Sequence, residues 1–136
     1  MKHHLTYTII GVSNRQVKPR MAIPSKRDVQ QARARIERIR ASLASFELLC
    51  SGTLVQRMMS CGKPNCRCAS DPSARHGPYY QWGRMRAGKP TRRYVSEQQA
   101  QILRQAIENY RAVKKLLREW EENSERIIDA AQPTQP

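Results

Sequence analysis

Cys61, Cys66, Cys68 and His76 stand close together in the stretch Cys61-Gly-Lys-Pro-Asn-Cys66-Arg-Cys68, followed by His76-Gly-Pro-Tyr-Tyr80. Three thiols and an imidazole are the donors that a tetrahedral Zn2+ takes. Four residues separate Cys61 from Cys66, one separates Cys66 from Cys68, and seven separate Cys68 from His76. These are not the spacings of the commonest zinc fingers, and the Cys66–Cys68 interval is tighter than the usual two residues. Gly62 and Pro64 supply the tight turns that ligand convergence needs. Cys61, Cys66, Cys68 and His76 are therefore the expected ligands of a structural zinc. Two alternatives stand beside this set: Cys50 replacing His76, or free thiols packed in a loop. A closed four-ligand site would fold a loop too short to build its own core, and would leave no open position for a catalytic water.

Other reaction chemistry is poorly represented. A Cys–His nucleophilic pair around His76 has no identifiable orienting acid, so metal ligation is the better use of that imidazole. His3 and His4 fall in a loosely ordered arm, where such residues are most often solvated. There is no P-loop, no dinucleotide fingerprint and no pocket-forming pair of carboxylates. The expectation is a protein that is not an enzyme.

The 136 residues carry 25 Lys and Arg against 11 Asp and Glu, a formal net charge of +14. A field of that sign attracts polyanions. Between Gly52 and Val95 the bases are Arg57, Lys63, Arg67, Arg75, Arg84, Arg86, Lys89, Arg92 and Arg93, and the one acid is Asp71. Beyond Ser96 acids slightly outnumber bases. The attraction is thus concentrated mid-chain, which argues against charge kept only for solubility. No stretch is apolar and long enough to span a bilayer. The first twelve residues lack the small-residue cleavage pattern of a signal peptide. A reducing, cytoplasmic setting is expected, where cysteines remain thiols or metal ligands.

Two helices must frame this region. Residues 1–24 mix a strand-like run, Tyr7 to Val12, with Pro19 and Pro24, and read as a loosely ordered basic arm. The spacing predicts a first helix over 25–51, with Ser25 as N-cap and a heptad seam of Val29, Ala32, Ile36, Ile39, Leu43, Phe46 and Cys50, stopped at Gly52. A second is predicted over 96–131. Ser96 and Gln99 form its capping box, and Leu103, Ala106, Tyr110, Val113, Leu117, Trp120, Ser124 and Ile127 form its seam. Residues 132–136 read as a frayed tail. The helices would form an antiparallel pair, or the longer one would pair with another copy. Residues 52–95 read as a three-stranded antiparallel sheet: Thr53 to Met59, Pro78 to Met85, and Thr91 to Val95 after the turn Ala87-Gly-Lys-Pro90. The fold class is α+β, two helices flanking a small sheet with a zinc loop between its first two strands.

Period-two alternation puts Tyr80, Trp82, Arg84 and Arg86 on one face of the middle strand. The two aromatics are expected under the helices as core. Arg84, Arg86, Lys89, Arg92 and Arg93, helped by Lys63, Arg67 and Arg75, are expected to contact phosphate.

The run from Gly52 to Val95, above all Cys-Gly-Lys-Pro-Asn-Cys-Arg-Cys, His-Gly-Pro-Tyr-Tyr and Gly-Lys-Pro-Thr, resembles an uncharacterised family of short bacterial and archaeal proteins found near transposases and other mobile elements. The resemblance covers roughly Gly52 to Ile128 and matches the family pattern at Cys61, Cys66, Cys68, His76, Gly77, Pro78 and Tyr79. It implies an accessory protein and supplies no reaction. Together the residues lead to the expectation of a small zinc-stabilised DNA-binding accessory or regulator, DNA being favoured over RNA. The alternative is an adaptor that binds a partner protein, or a second copy, through its helical seam.

Overall fold

The structure is a computed structural model and describes residues 22–131. The expected strand Tyr7 to Val12, most of the basic arm and the tail 132–136 lie outside the described residues.

Helix α1 spans Lys26–Leu43. Ser25 caps it reciprocally: the Ser25 hydroxyl accepts from the Asp28 N–H at 3.2 Å, and the Asp28 carboxylate accepts from the Ser25 N–H at 2.8 Å. Both N–H groups would otherwise lack partners at a helix start. Ala32 and Ile39 are buried, with Val29, Ile36 and Leu43 half-buried on the same side. The helix stops at Leu43, short of the expected Ser51. The hydroxyl and N–H of Ser45 both donate to Ser42 O, at 2.7 and 3.2 Å, and the Ser42 hydroxyl donates to Arg38 O at 3.0 Å. Such local bonds offer the backbone an alternative to the next helical turn. The apolar seam continues inward at Phe46 and Cys50 all the same, carried by a non-helical strap. Asn109 Nδ2 donates to Leu48 O and the Cys50 N–H to Ala106 O, each at 3.1 Å, so the strap is tied to the second helix.

Strands β1 (Thr53–Met59), β2 (His76–Arg86) and β3 (Lys89–Val95) form one antiparallel sheet in the order β1-β2-β3. Leu54 stands opposite Trp82, and Trp82 opposite Arg93. The β2–β3 hairpin turns through Ala87 (φ 48°) and Gly88 (φ 74°), the paired positive φ values that suit the twist of a two-residue hairpin.

Helix α2 spans Glu97–Ala130 behind the expected capping box, Ser96 Oγ accepting from the Gln99 N–H and Gln99 Oε1 from the Ser96 N–H. Its first half supports the sheet: Trp82, Leu103 and Ile107 form the core, with Cys50, Leu54 and Val95 against them. Its second half packs on α1, where Arg35 pairs with Glu119 and Asp28 feels the charge of Arg126. Rising numbers in α1 meet falling numbers in α2, so the helices are antiparallel. The buried face of α2 follows the expected seam at every position except Leu117. Leu117 is half exposed, whereas Ile107 and Asn123 are buried. A straight helix repeats every 3.6 residues, so a heptad pattern drifts by only about 20° per heptad, and Trp120, Ser124 and Ile127 remain half-buried. No helix among the described residues is long and apolar enough to cross a membrane.

Candidate metal centre and basic surfaces

The sheet register brings the two ends of the cysteine loop together. Met59 at the end of β1 stands opposite His76 at the start of β2, after a register shift between Arg57 and Met59. Gly77 beside it has φ +140°, and a Cβ there would lie 2.9 Å from both Arg57 O and Met58 Sδ. Glycine is thus the residue that lets β2 enter this close to β1. The intervening loop folds through two short 3₁₀ turns, Arg67–Ala69 and Pro72–Ala74. Asp71 joins them: it accepts from the Ser73 N–H at 2.9 Å and from Arg67 Nε at 3.1 Å.

The result is a converged cluster. One donor atom from each of Cys61, Cys66, Cys68 and His76 lies within 4.8 Å of the others. The Cys61 and Cys68 sulfurs are 3.5 Å apart, and Cys66 Sγ is 3.3 Å from His76 Nε2. Ligands around a tetrahedral zinc at ordinary bond lengths stand about 3.6 to 3.8 Å from each other, so this set can close on one ion with small adjustment. Cys68 is the one buried member of the cluster. The Cys61 N–H, 3.4 Å from Cys68 Sγ, chiefly lowers the Cys68 thiol from 9.0 to about 6, helped by Cys66, Ser60 and Cys61 side chains. The thiolate is the form a metal takes. For Cys66 the Cys68 N–H acts to lower the thiol, but hydrogen bonds to Cys68 and Cys61, with burial, raise it on balance. Cys50 is elsewhere, packed against the Trp82 core, and so does not substitute for His76.

The basic residues divide into separate groups. Lys63, Arg67 and Arg75 belong to the metal loop, at the His76 end of β2. Arg84, Arg86 and Lys89 crowd the opposite end, around the hairpin turn, roughly 33 Å away along an eleven-residue strand. Tyr80 and Trp82 are buried as expected, and Arg84 and Arg93 lie over the Trp82 ring at 4.1 and 5.0 Å. Arg92 stands opposite Gly83, one position out of phase, and so points to the other sheet face. Of the residues expected to contact phosphate, Arg84, Arg86, Lys89 and Arg93 therefore share one face of the hairpin and Arg92 lies on the other. Side-chain direction alternates along a strand, so adjacent Arg92 and Arg93 cannot share a face.

Counter-charges are scarce. Among the described residues, the ion pairs are Arg35–Glu119, Arg40–Glu37, Arg67–Asp71 and Arg111–Glu108. None engages Arg57, Lys63, Arg75, Arg84, Arg86, Lys89, Arg92 or Arg93, and residues 1–21 and 132–136 contain no Asp or Glu.

A family model described as Domain of unknown function (DUF6788) matches residues 26–105. The match takes in α1, which the sequence resemblance left out, and ends inside α2 rather than near Ile128. No curated protein and no solved structure matches the chain.

Proposed function

The chain belongs to the DUF6788 family, and we propose that it is a zinc-stabilised nucleic-acid-binding module, DNA its preferred target, acting as an accessory or regulatory protein rather than an enzyme. Zinc held by Cys61, Cys66, Cys68 and His76 would fasten the loop that joins β1 to β2, because a loop of this size has almost no apolar core of its own. A tetrahedral site with four protein ligands keeps no position for a reacting water, which favours a structural role. The observation that carries the binding reading is the unpaired charge of the sheet and its hairpin, where eight arginines and lysines of the strands and loop have no carboxylate partner among the described residues. Phosphates supply such partners and release counterions on binding. Arg86 and Lys89, cross-strand partners at the exposed hairpin tip, are the first candidates for that contact.

The test is the affinity of the full chain for duplex DNA across a salt series. The reading expects log affinity to fall linearly with log salt. Weak binding that is indifferent to salt counts against it and favours the adaptor reading.

A further inference from the structure

The sheet has a second face, and among the described residues no element packs on it. Register and alternation place Val55 and Arg57 of β1, Tyr79 and Gly83 of β2, and Arg92 and Tyr94 of β3 on this side, away from α2. The two tyrosines are 44% and 57% exposed. Their ring centroids are 6.4 Å apart with planes at 72°, so one ring supports the other and leaves π surface open. Gly83 keeps the centre of the floor bare: a Cβ there would meet only Arg92 Cγ at 3.8 Å and Thr91 O at 4.0 Å. Arg57 and Arg92 stand at its borders without a carboxylate partner among the described residues.

We infer that this open face is a stacking platform for unpaired nucleotides, the bases lying on Tyr79 and Tyr94 and the phosphates on Arg57 and Arg92. The inference rests on the nucleic-acid reading above and specifies the form of the ligand. Inside a duplex the flat surfaces of the bases are already stacked on each other, and only a single strand, a bulge or a frayed end offers them to a side chain. Exposed aromatics set among cations on a flat sheet are the arrangement that takes such a strand without demanding sequence. The uncompensated arginines distinguish this occupant from an apolar protein surface, which would leave both charges buried without partners.

The test uses the full chain with fluorescent oligo(dT), oligo(U) and a duplex of matched length. The single strands should bind about tenfold or more tightly than the duplex. Tyr94→Leu and Tyr79→Leu should each weaken single-strand binding roughly 5- to 100-fold, with duplex binding unchanged and Tyr94→Phe close to wild type. Preference of either oligo(dT) or oligo(U) over the duplex supports the platform. Ultraviolet crosslinking of the unmutated chain to oligo(dT), read by peptide mass spectrometry, needs no variant and should mark Tyr79 or Tyr94. Duplex binding that equals single-strand binding, or crosslinks confined to other segments, overturns the platform while leaving the proposed function standing. Binding to neither form overturns both.

Discussion

The guanidinium of Arg84 lies 4.1 Å from the centre of the Trp82 ring, two residues back along the same strand and the same sheet face. A cation in that position is held by the ring's negative face and covers the edge of the core with its methylene stem. Arg84 thus has a structural task that the more exposed Arg86 lacks. Arg84→Ala should lower unfolding free energy by about 0.5–2 kcal/mol in urea denaturation. Arg86→Ala should leave it unchanged, and equal effects from the two would refute the distinction.

The metal loop should depend on its ion. Stripping the chain with a chelator, or substituting Cys66→Ser, should expose Arg67 and Arg75 to trypsin while the α1–α2 pair stays resistant, since that pair has its own buried contacts at Ala32 and Ile39. Equal protection with and without metal would show that the loop holds itself.

Gly77 tests how closely the strand must enter the site. Gly77→Ala forces a side chain into a positive-φ position beside Arg57 O. We expect a loss of about 1–3 kcal/mol in stability and weaker metal retention, because His76 is the adjacent residue. An unchanged melting curve would mean that the backbone can rearrange there without cost.

The helix pair carries a pH signature. Hydrogen bonding from Arg35 holds the Glu119 carboxyl below its ordinary 4.5. With the folded value below the unfolded one, its contribution is full above the unfolded value and is lost as pH falls through the folded value. Arg35→Ala should therefore lower the melting temperature slightly at neutral pH, and the difference should vanish in strong acid. The pair is partly exposed, so the effect is small and should shrink with salt.

Much of this architecture is legible in the sequence because local chemistry dictates it. Ser25 and Ser96 announce the helix starts through their own side-chain bonds, and the β1 run Thr53–Met59 is bounded as its β-branched and sulfur-rich composition suggests. The Cys/His cluster is legible too, since few other uses suit three thiols and an imidazole so closely spaced. The end of α1 is not, because the apolar seam runs on through Phe46 and Cys50 while serine hydroxyls redirect the backbone. Nor is the division of the sheet. Tyr80 and Trp82 mark the face that α2 covers, as expected, but both alternating sets of β3 carry arginine, so alternation alone cannot say which of those arginines share that face. Tyr79, Tyr94 and Arg57 as a joint surface emerge only from the register.

The measurement closest to the central claim compares the salt dependence of duplex DNA affinity for the wild-type chain and for the double variant Arg86→Ala, Lys89→Ala. If the hairpin tip holds phosphates, the wild-type slope is steep, and the variant's is shallower by about 0.9 for each lost contact. A wild-type chain that is folded and metal-loaded, yet binds DNA with the same slope as the variant or not at all, contradicts the account.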